Sequence, residues 1–167
     1  SDAQLPPSAQ GAAFRAGQAR VVFSEGAAVG DRWCDKTGQK PLLPFGWGLT
    51  YTSFAYSGLE VPRRALRDAP LTAHVTVRNT GERTGTEIVQ LYVSPPEAAG
   101  KAPRRLAAWS KVTLAPGEAK AVALNLDPHV LKNWDSRAEV WRMPAGAYRI
   151  HVGGSAEDDR LSAEMAL

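Results

Sequence analysis

The sequence predicts an all-β domain of two packed antiparallel sheets, preceded by an N-terminal extension, and three observations carry that prediction. Downstream of Tyr51, apolar residues alternate at period two over several short stretches. Turn-forming clusters punctuate them, at Asn79-Thr80-Gly81, Ala115-Pro116-Gly117-Glu118 and Pro144-Ala145-Gly146. No internal repeat and no long helical pattern interrupts the series. Short strands separated by such turns suit a sandwich, whose two inner faces each need every second side chain.

The elements follow in order. Residues 1–20 are rich in Ala, Gln and Pro and read as a flexible or surface-draped lead-in. Val21-Val22-Phe23 is a short apolar run, after which Ser24 can cap a helical turn with Val29 and Trp33 four apart on one face. This segment has too few elements to bury its own apolar residues, so residues 1–50 are expected to be poorly ordered without a partner body. Leu71, Ala73, Val75 and Val77 alternate with polar residues as a half-buried strand. Thr86 to Val93 is denser in apolar residues, as a more central strand is, and Pro95-Pro96 stops it. Glu97 to Pro103 reads as a loop. Arg104 to Leu114 resumes extended structure with Leu106, Trp109, Val112 and Leu114, which places Trp109 in the core. Val122, Leu124 and Leu126 alternate again, and Val130, Leu131 and Trp134 suggest a short helical turn over His129 to Asn133. Tyr148, Ile150 and Val152 face inward, and Leu161, Ala163, Met165 and Leu167 form the last alternating run.

Between extension and sandwich lies PLLPFGWGLTYTSF, Pro41 to Phe54. Pro41 and Pro44 fix φ and remove donors, which rules out helix and central strand. Gly46 and Gly48 permit tight turns or close approach, while Phe45 and Trp47 offer large apolar faces. Such a segment is costly to leave in water and reads as a rigid plug between two packed bodies.

Composition narrows the function. The 167 residues suffice for one ordinary domain plus an appendage, and 44% apolar content is that of globular protein. No apolar run reaches the roughly 18 residues of a transmembrane helix. The start, SDAQLPPSAQ, has neither Met nor a signal pattern, which suggests a processed end or a cut inside a longer protein. One cysteine, Cys34, cannot make an internal disulfide. A net charge of +3 is spread along the chain, with local clusters at Arg63-Arg64-Arg67 and Lys101-Arg104-Arg105, too sparse for a nucleic-acid footprint.

No catalytic grouping emerges. His74, His129 and His151 are far apart, lack metal-ligand spacing, and His74 and His151 fall on outward strand faces. There is no nucleophile elbow and no phosphate loop. Asp31, Asp35 and the Glu157-Asp158-Asp159 group have no spacing that makes them converge. Of the five tryptophans, Trp33 and Trp47 belong with the connecting motifs, while Trp134 and Trp141 are the candidates for sugar contact should they be exposed and coplanar.

The chain also resembles a family. Phe45-Gly46-Trp47-Gly48-Leu49-Thr50-Tyr51-Thr52 is similar to the phrase that joins the α/β domain to the C-terminal fibronectin type III-like domain in glycoside hydrolase family 3, the β-glucosidases. Upstream, Phe23-Ser24-Glu25-Gly26 and Val29-Gly30-Asp31-Arg32-Trp33-Cys34-Asp35 resemble its S-E-G and V-G-Y-R-aromatic-Y-D phrases, with Asp31 and Cys34 standing where tyrosines are common. Val77 to Pro96, Leu114 to Pro128 and Pro144 to Leu161 match successive parts of the sandwich, so the likeness covers residues 21–167 in order.

The resemblance implies a fibronectin type III-like (immunoglobulin-like) β-sandwich over residues 52–167. It further implies a Pro/Gly/aromatic linker over 41–51 and a tail of the preceding α/β domain over 1–40. It implies a retaining exo-acting β-glycosidase as the parent, whose nucleophile and acid/base lie about 5–5.5 Å apart. In the family those come from the barrel and the α/β domain, neither of whose motifs is here, and Glu25 belongs to a structural phrase. The chain is thus expected to have no catalytic residue of its own, no cofactor and no metal. Its expected partners are the catalytic barrel and α/β domains, in cis or as a nicked partner chain, met through Arg32, Trp33, Phe45, Trp47 and Tyr51. The resemblance is compatible with a periplasmic or secreted setting.

Overall fold

A computed structural model describes residues 26, 28–64, 69–96 and 104–167. The lead-in, the Val21-Val22-Phe23 run, the Ser24 cap, Glu25 and the Glu97 to Pro103 loop lie outside the described residues.

A short helix α1 (Asp31–Thr37) precedes strands β1 (Phe54–Glu60), β2 (Leu71–Asn79), β3 (Gly85–Ser94), β4 (Arg105–Leu114) and β5 (Ala119–Leu126). A 3-10 turn (Pro128–Leu131) leads to β6 (Asn133–Asp135), β7 (Val140–Arg142), β8 (Ala147–Gly153) and β9 (Leu161–Ala166). One antiparallel sheet has the order β1-β2-β5, the other β4-β3-β8-β9, and β6-β7 is a separate hairpin.

The alternating runs fill the space between the sheets. From the three-stranded sheet come Ala73, Val75, Val77, Val122 and Leu124; from the four-stranded sheet come Val89, Leu91, Leu114, Tyr148, Ile150, Val152 and Met165, all buried in one cluster. Full burial of such side chains stabilises by about 1.5–3 kcal/mol each before conformational entropy is charged. Tyr148 satisfies its hydroxyl inside the core edge by donating to the Pro144 carbonyl at 2.6 Å. The Asn79 side chain closes one end of the sandwich. Its Nδ2 donates to the carbonyls of Arg83 (2.7 Å) and Leu114 (3.0 Å), and its Oδ1 accepts from the Gly81 amide (3.0 Å) and the Thr52 hydroxyl (2.5 Å).

One expectation is corrected. Trp109 is 65% exposed, because the core face of β4 is carried by Ala108, Val112 and Leu114, and Trp109 points the other way. The helix begins after Gly30, whose φ of 62° sets the entry, with no side-chain cap. Residues 28–50 form α1 and a series of turns, with the Phe45 carbonyl bonded to the Ala156 amide of the sandwich.

Candidate docking face and aromatic hairpin

The four-stranded sheet has an outer face, and its side chains follow from register. On β3, Val89, Leu91 and Val93 point into the core, so Ile88, Gln90 and Tyr92 point out. Gln90 and Tyr92 are nevertheless buried, because residues 28–50 form a strap across them. Tyr92 donates to Gln90 Oε1 at 2.6 Å, and Gln90 Nε2 donates to the Gly154 carbonyl at 2.9 Å. Burial pushes the Tyr92 phenol up to about 12. Gly46, at φ 84°, sits directly on the Gln90 amide.

Polar links hold the strap. The Ala156 amide donates to the Phe45 carbonyl and the Phe45 amide to Asp31 Oδ2, each at 2.8 Å. The Arg104 amide donates to Asp35 Oδ2 at 2.8 Å. The Arg104 guanidinium meets three carboxylates, Asp35 at 3.5 Å, Glu157 at 3.4 Å and Asp159 at 2.8 Å. It also lies 5.8 Å from the Tyr92 ring centroid. Helix α1 buries none of its residues fully, so these contacts do most of the anchoring.

The strap turns its apolar side chains to solvent. Leu42, Leu49 and Tyr51 are each 91% exposed, and Leu43, Phe45 and Trp47 more than half exposed. Ile88 and Trp109, on the same outer face, extend this surface. Of the residues the sequence assigns to an interface, Phe45, Trp47 and Tyr51 lie along this stripe and Arg32 is exposed beside it. Trp33 is half-buried, and its indole N–H has no hydrogen-bond partner among the described residues. Leu42, Leu49, Ile88 and Trp109 are additions that the sequence reading missed. Trp109 was legible, since it is odd-numbered in a strand whose core residues are even-numbered.

Between the strap and the edge of the sandwich is a cavity of about 710 Å³, lined by Trp47, Leu49, Phe54, Tyr56, Glu87 and Asp158 among others. Tyr56 donates to Glu87 Oε1 at 2.8 Å. Burial raises the Glu87 carboxyl above its ordinary range, against the pull of the Tyr56 hydrogen bond. Among the described residues no group of three His, Cys, Asp or Glu side chains is placed to hold a metal ion.

The hairpin carries the remaining exposed aromatics. Trp134 and Trp141 pair across β6 and β7, 5.5 Å apart, with ring planes at 64°. His129 tilts onto Trp141 at 5.1 Å. Rings meeting edge to face do not make the coplanar platform that a sugar face requires. Asp135 and Arg142, bonded at 2.8 Å, occupy register positions next to the tryptophans and therefore the opposite face of the hairpin. Arg105 clamps the base by donating to the carbonyls of Val130 and Lys132 and to Asn133 Oδ1.

The histidines divide. His74 is exposed, as expected of an outward strand residue. His151 faces outward yet keeps only 13% of its side-chain exposure, because Asp159 at 3.0 Å and Ser94 at 3.0 Å enclose it.

Comparison with known proteins matches this architecture. Residues 87–156 fit the fibronectin type III-like domain family. The chain is 40% identical over 161 residues to a probable β-glucosidase I of Aspergillus niger, covering 92% of this chain and 20% of that protein. Among solved structures, DesR, a β-glucosidase from Streptomyces venezuelae, superposes with a TM-score of 0.78 at 43% identity, over 86% of this chain and 18% of that one. The family 3 β-glucosidase of Bifidobacterium adolescentis superposes with a TM-score of 0.83 at 31% identity, over 93% of this chain and 23% of that one. The chain thus spans about a fifth of the length of the relatives it matches. On its fold, its motifs and these likenesses, the chain is a fibronectin type III-like sandwich similar to the corresponding portion of β-glucosidases of glycoside hydrolase family 3.

Proposed function

We propose that this chain is the accessory, non-catalytic sandwich of a retaining, exo-acting β-glucosidase-type hydrolase and braces the catalytic domains against one another. The observation that carries this reading is the exposed stripe from Leu42 to Tyr51, tied to the sandwich at the Phe45 carbonyl by the Ala156 amide. Contiguous exposed apolar side chains of this size mark an interaction surface. Arg32, Trp33, Phe45, Trp47 and Tyr51 are its contacts, with Arg32 offering a guanidinium for a carboxylate across the junction. Residues 1–40 then belong structurally to the α/β domain, 41–51 to the linker and 52–167 to the sandwich. Bracing matters to the reaction because a misplacement of about 1 Å between catalytic groups can cost about a hundredfold in rate.

The test is a chromogenic β-glucoside assay on the purified chain alone, and on the chain mixed with the remaining domains expressed separately, with intact mass measured on each sample. Inactivity alone and activity on mixing support the brace. Activity of the single 17.9 kDa species overturns it, as does full activity of the remaining domains without this chain.

A further inference from the structure

We propose that the cavity beside the strap is a socket for an arginine side chain, delivered by the body that covers the exposed stripe and paired with Glu87 against the Trp47 indole. The identity of that body rests on the bracing reading, whereas the socket is built from this chain alone.

The cavity of about 710 Å³ is lined on the linker side by Trp47 and Leu49 and on the sandwich side by Phe54, Tyr56 and Glu87. Its carboxylates differ in what they already hold. Asp158 accepts from the Gly154 amide at 3.2 Å and from Arg160 Nε, which engages the one guanidinium among the lining residues. Glu157 pairs with Arg104 at 3.4 Å. Glu87 is left, among the described residues, with a single hydrogen bond, from the Tyr56 hydroxyl to Oε1 at 2.8 Å, and with no ion pair. Gly154 makes room for it, since a Cβ there would lie 2.5 Å from Oε1. Burial raises the Glu87 carboxyl, and the Tyr56 hydrogen bond, which favours the charged form, opposes that rise. A half-buried carboxylate with one oxygen unbonded thus stands in a cavity with aromatic walls.

Covering the stripe changes the balance. Trp47 and Leu49 belong both to the stripe and to the cavity, and Ile88, exposed on the outer face, lines the cavity as well. A body seated on those side chains takes water from the mouth of the cavity. An anion that loses water without gaining a counter-charge is costly, and a cationic side chain from the same body removes that cost. Guanidinium suits the place better than ammonium. Its plane stacks on an indole while its in-plane N–H groups reach a carboxylate, and it is the more weakly hydrated of the two. The pair also supplies a selectivity that an apolar stripe lacks, because a neutral or acidic surface over Glu87 leaves the charge unpaired.

The test is an NMR titration of the 167-residue chain at pH 7 with N-acetyl-arginine amide, against N-acetyl-citrulline amide as its uncharged isostere. The arginine probe is expected to saturate shifts of the Trp47 indole and of the amides of residues 86–88 and 154. The citrulline probe should bind at least about tenfold more weakly. Glu87→Gln, which keeps an acceptor for Tyr56, should erase that preference. No saturable binding, equal affinities, shifts that fall elsewhere, or a preference that survives Glu87→Gln each overturns the socket. Should Glu87→Gln disturb the sandwich, Trp47→Leu at its exposed site must weaken the arginine probe several-fold, and an unchanged affinity overturns the proposal. The titration needs no second polypeptide, so it is read apart from the mixing assay. Activity recovered on mixing without a probe preference overturns the socket alone; a clear preference without recovery supports the socket and overturns the brace.

Discussion

A Cβ on Gly46 would lie 1.9 Å from Nε2 of Gln90, so the strap can cross the sheet at this point only as glycine. The Gln90 amide cannot simply step aside, because it is bonded to both Tyr92 and the Gly154 carbonyl. Gly46 also sits at φ 84°, where a side chain is strained whatever the space. Gly46→Ala is therefore expected to detach the strap, at a cost of about 2 kcal/mol or more in strap opening read by amide exchange of residues 31–47. Gly117→Ala is the control. It has a similar φ of 74° but open space around it, and only the conformational cost of about 1 kcal/mol is expected there.

Asn79 gives a second prediction, with a pH signature. Its four hydrogen bonds are made in a fully buried place, so Asn79→Ala should cost about 3 kcal/mol in urea unfolding. Asn79→Asp keeps the acceptor side but turns a carboxylate toward the carbonyls of Arg83 and Leu114. Burial and those carbonyls favour the protonated acid, which raises its folded-state pKa. The variant should then be closer to wild type at pH 4 and lose stability as pH rises toward 7.

Those two residues also mark what the sequence could tell. The strands were legible because burial on one face of a sheet is a local, period-two signal, as in Leu71 to Val77 and Tyr148 to Val152. The Asn79 turn was legible from composition, but its role as a four-way joint was not, since Thr52, Arg83 and Leu114 meet it only after folding. Gln90 reads as an ordinary outward polar residue until the strap covers it. Trp109 differs for another reason: its size favours burial, but its parity in β4 sets it on the outer face, opposite Ala108, Val112 and Leu114.

The stripe should separate stability from assembly. Leu49→Ser and Tyr51→Ser remove side chains that touch little in this chain, so the urea midpoint should move by no more than about 0.5 kcal/mol. Under the bracing proposal the same changes should lower activity recovered on mixing with the remaining domains. Unchanged recovery, with unchanged stability, would take the stripe out of the interface.

The hairpin rests on one guanidinium. Arg105→Ala removes the donors to Val130, Lys132 and Asn133 from a half-buried site and leaves two carbonyls to find water. The expected loss is about 2 kcal/mol, with a change in the cross-strand ring-current shifts of Trp134 and Trp141. Arg105→Lys should not rescue it, because a single ammonium cannot reproduce the planar fork across three acceptors.

Glu87 offers the last test, and its sign separates it from a surface charge. Burial raises its carboxyl, Asp158 adds to that rise, and the Tyr56 hydrogen bond and Arg160 oppose it. A raised folded-state value means that the native chain favours the protonated form. The contribution is present at pH below the ordinary carboxylate range and lost as pH rises through the folded value. Glu87→Gln keeps an oxygen to accept from Tyr56 while removing the desolvated charge. The variant should therefore unfold at a higher urea concentration than wild type at pH 7, with the advantage vanishing near pH 4. An advantage of equal size at both pH values would instead place the effect in packing, and a loss at pH 7 would mean that the Tyr56 bond to the charged form outweighs the cost of burying it.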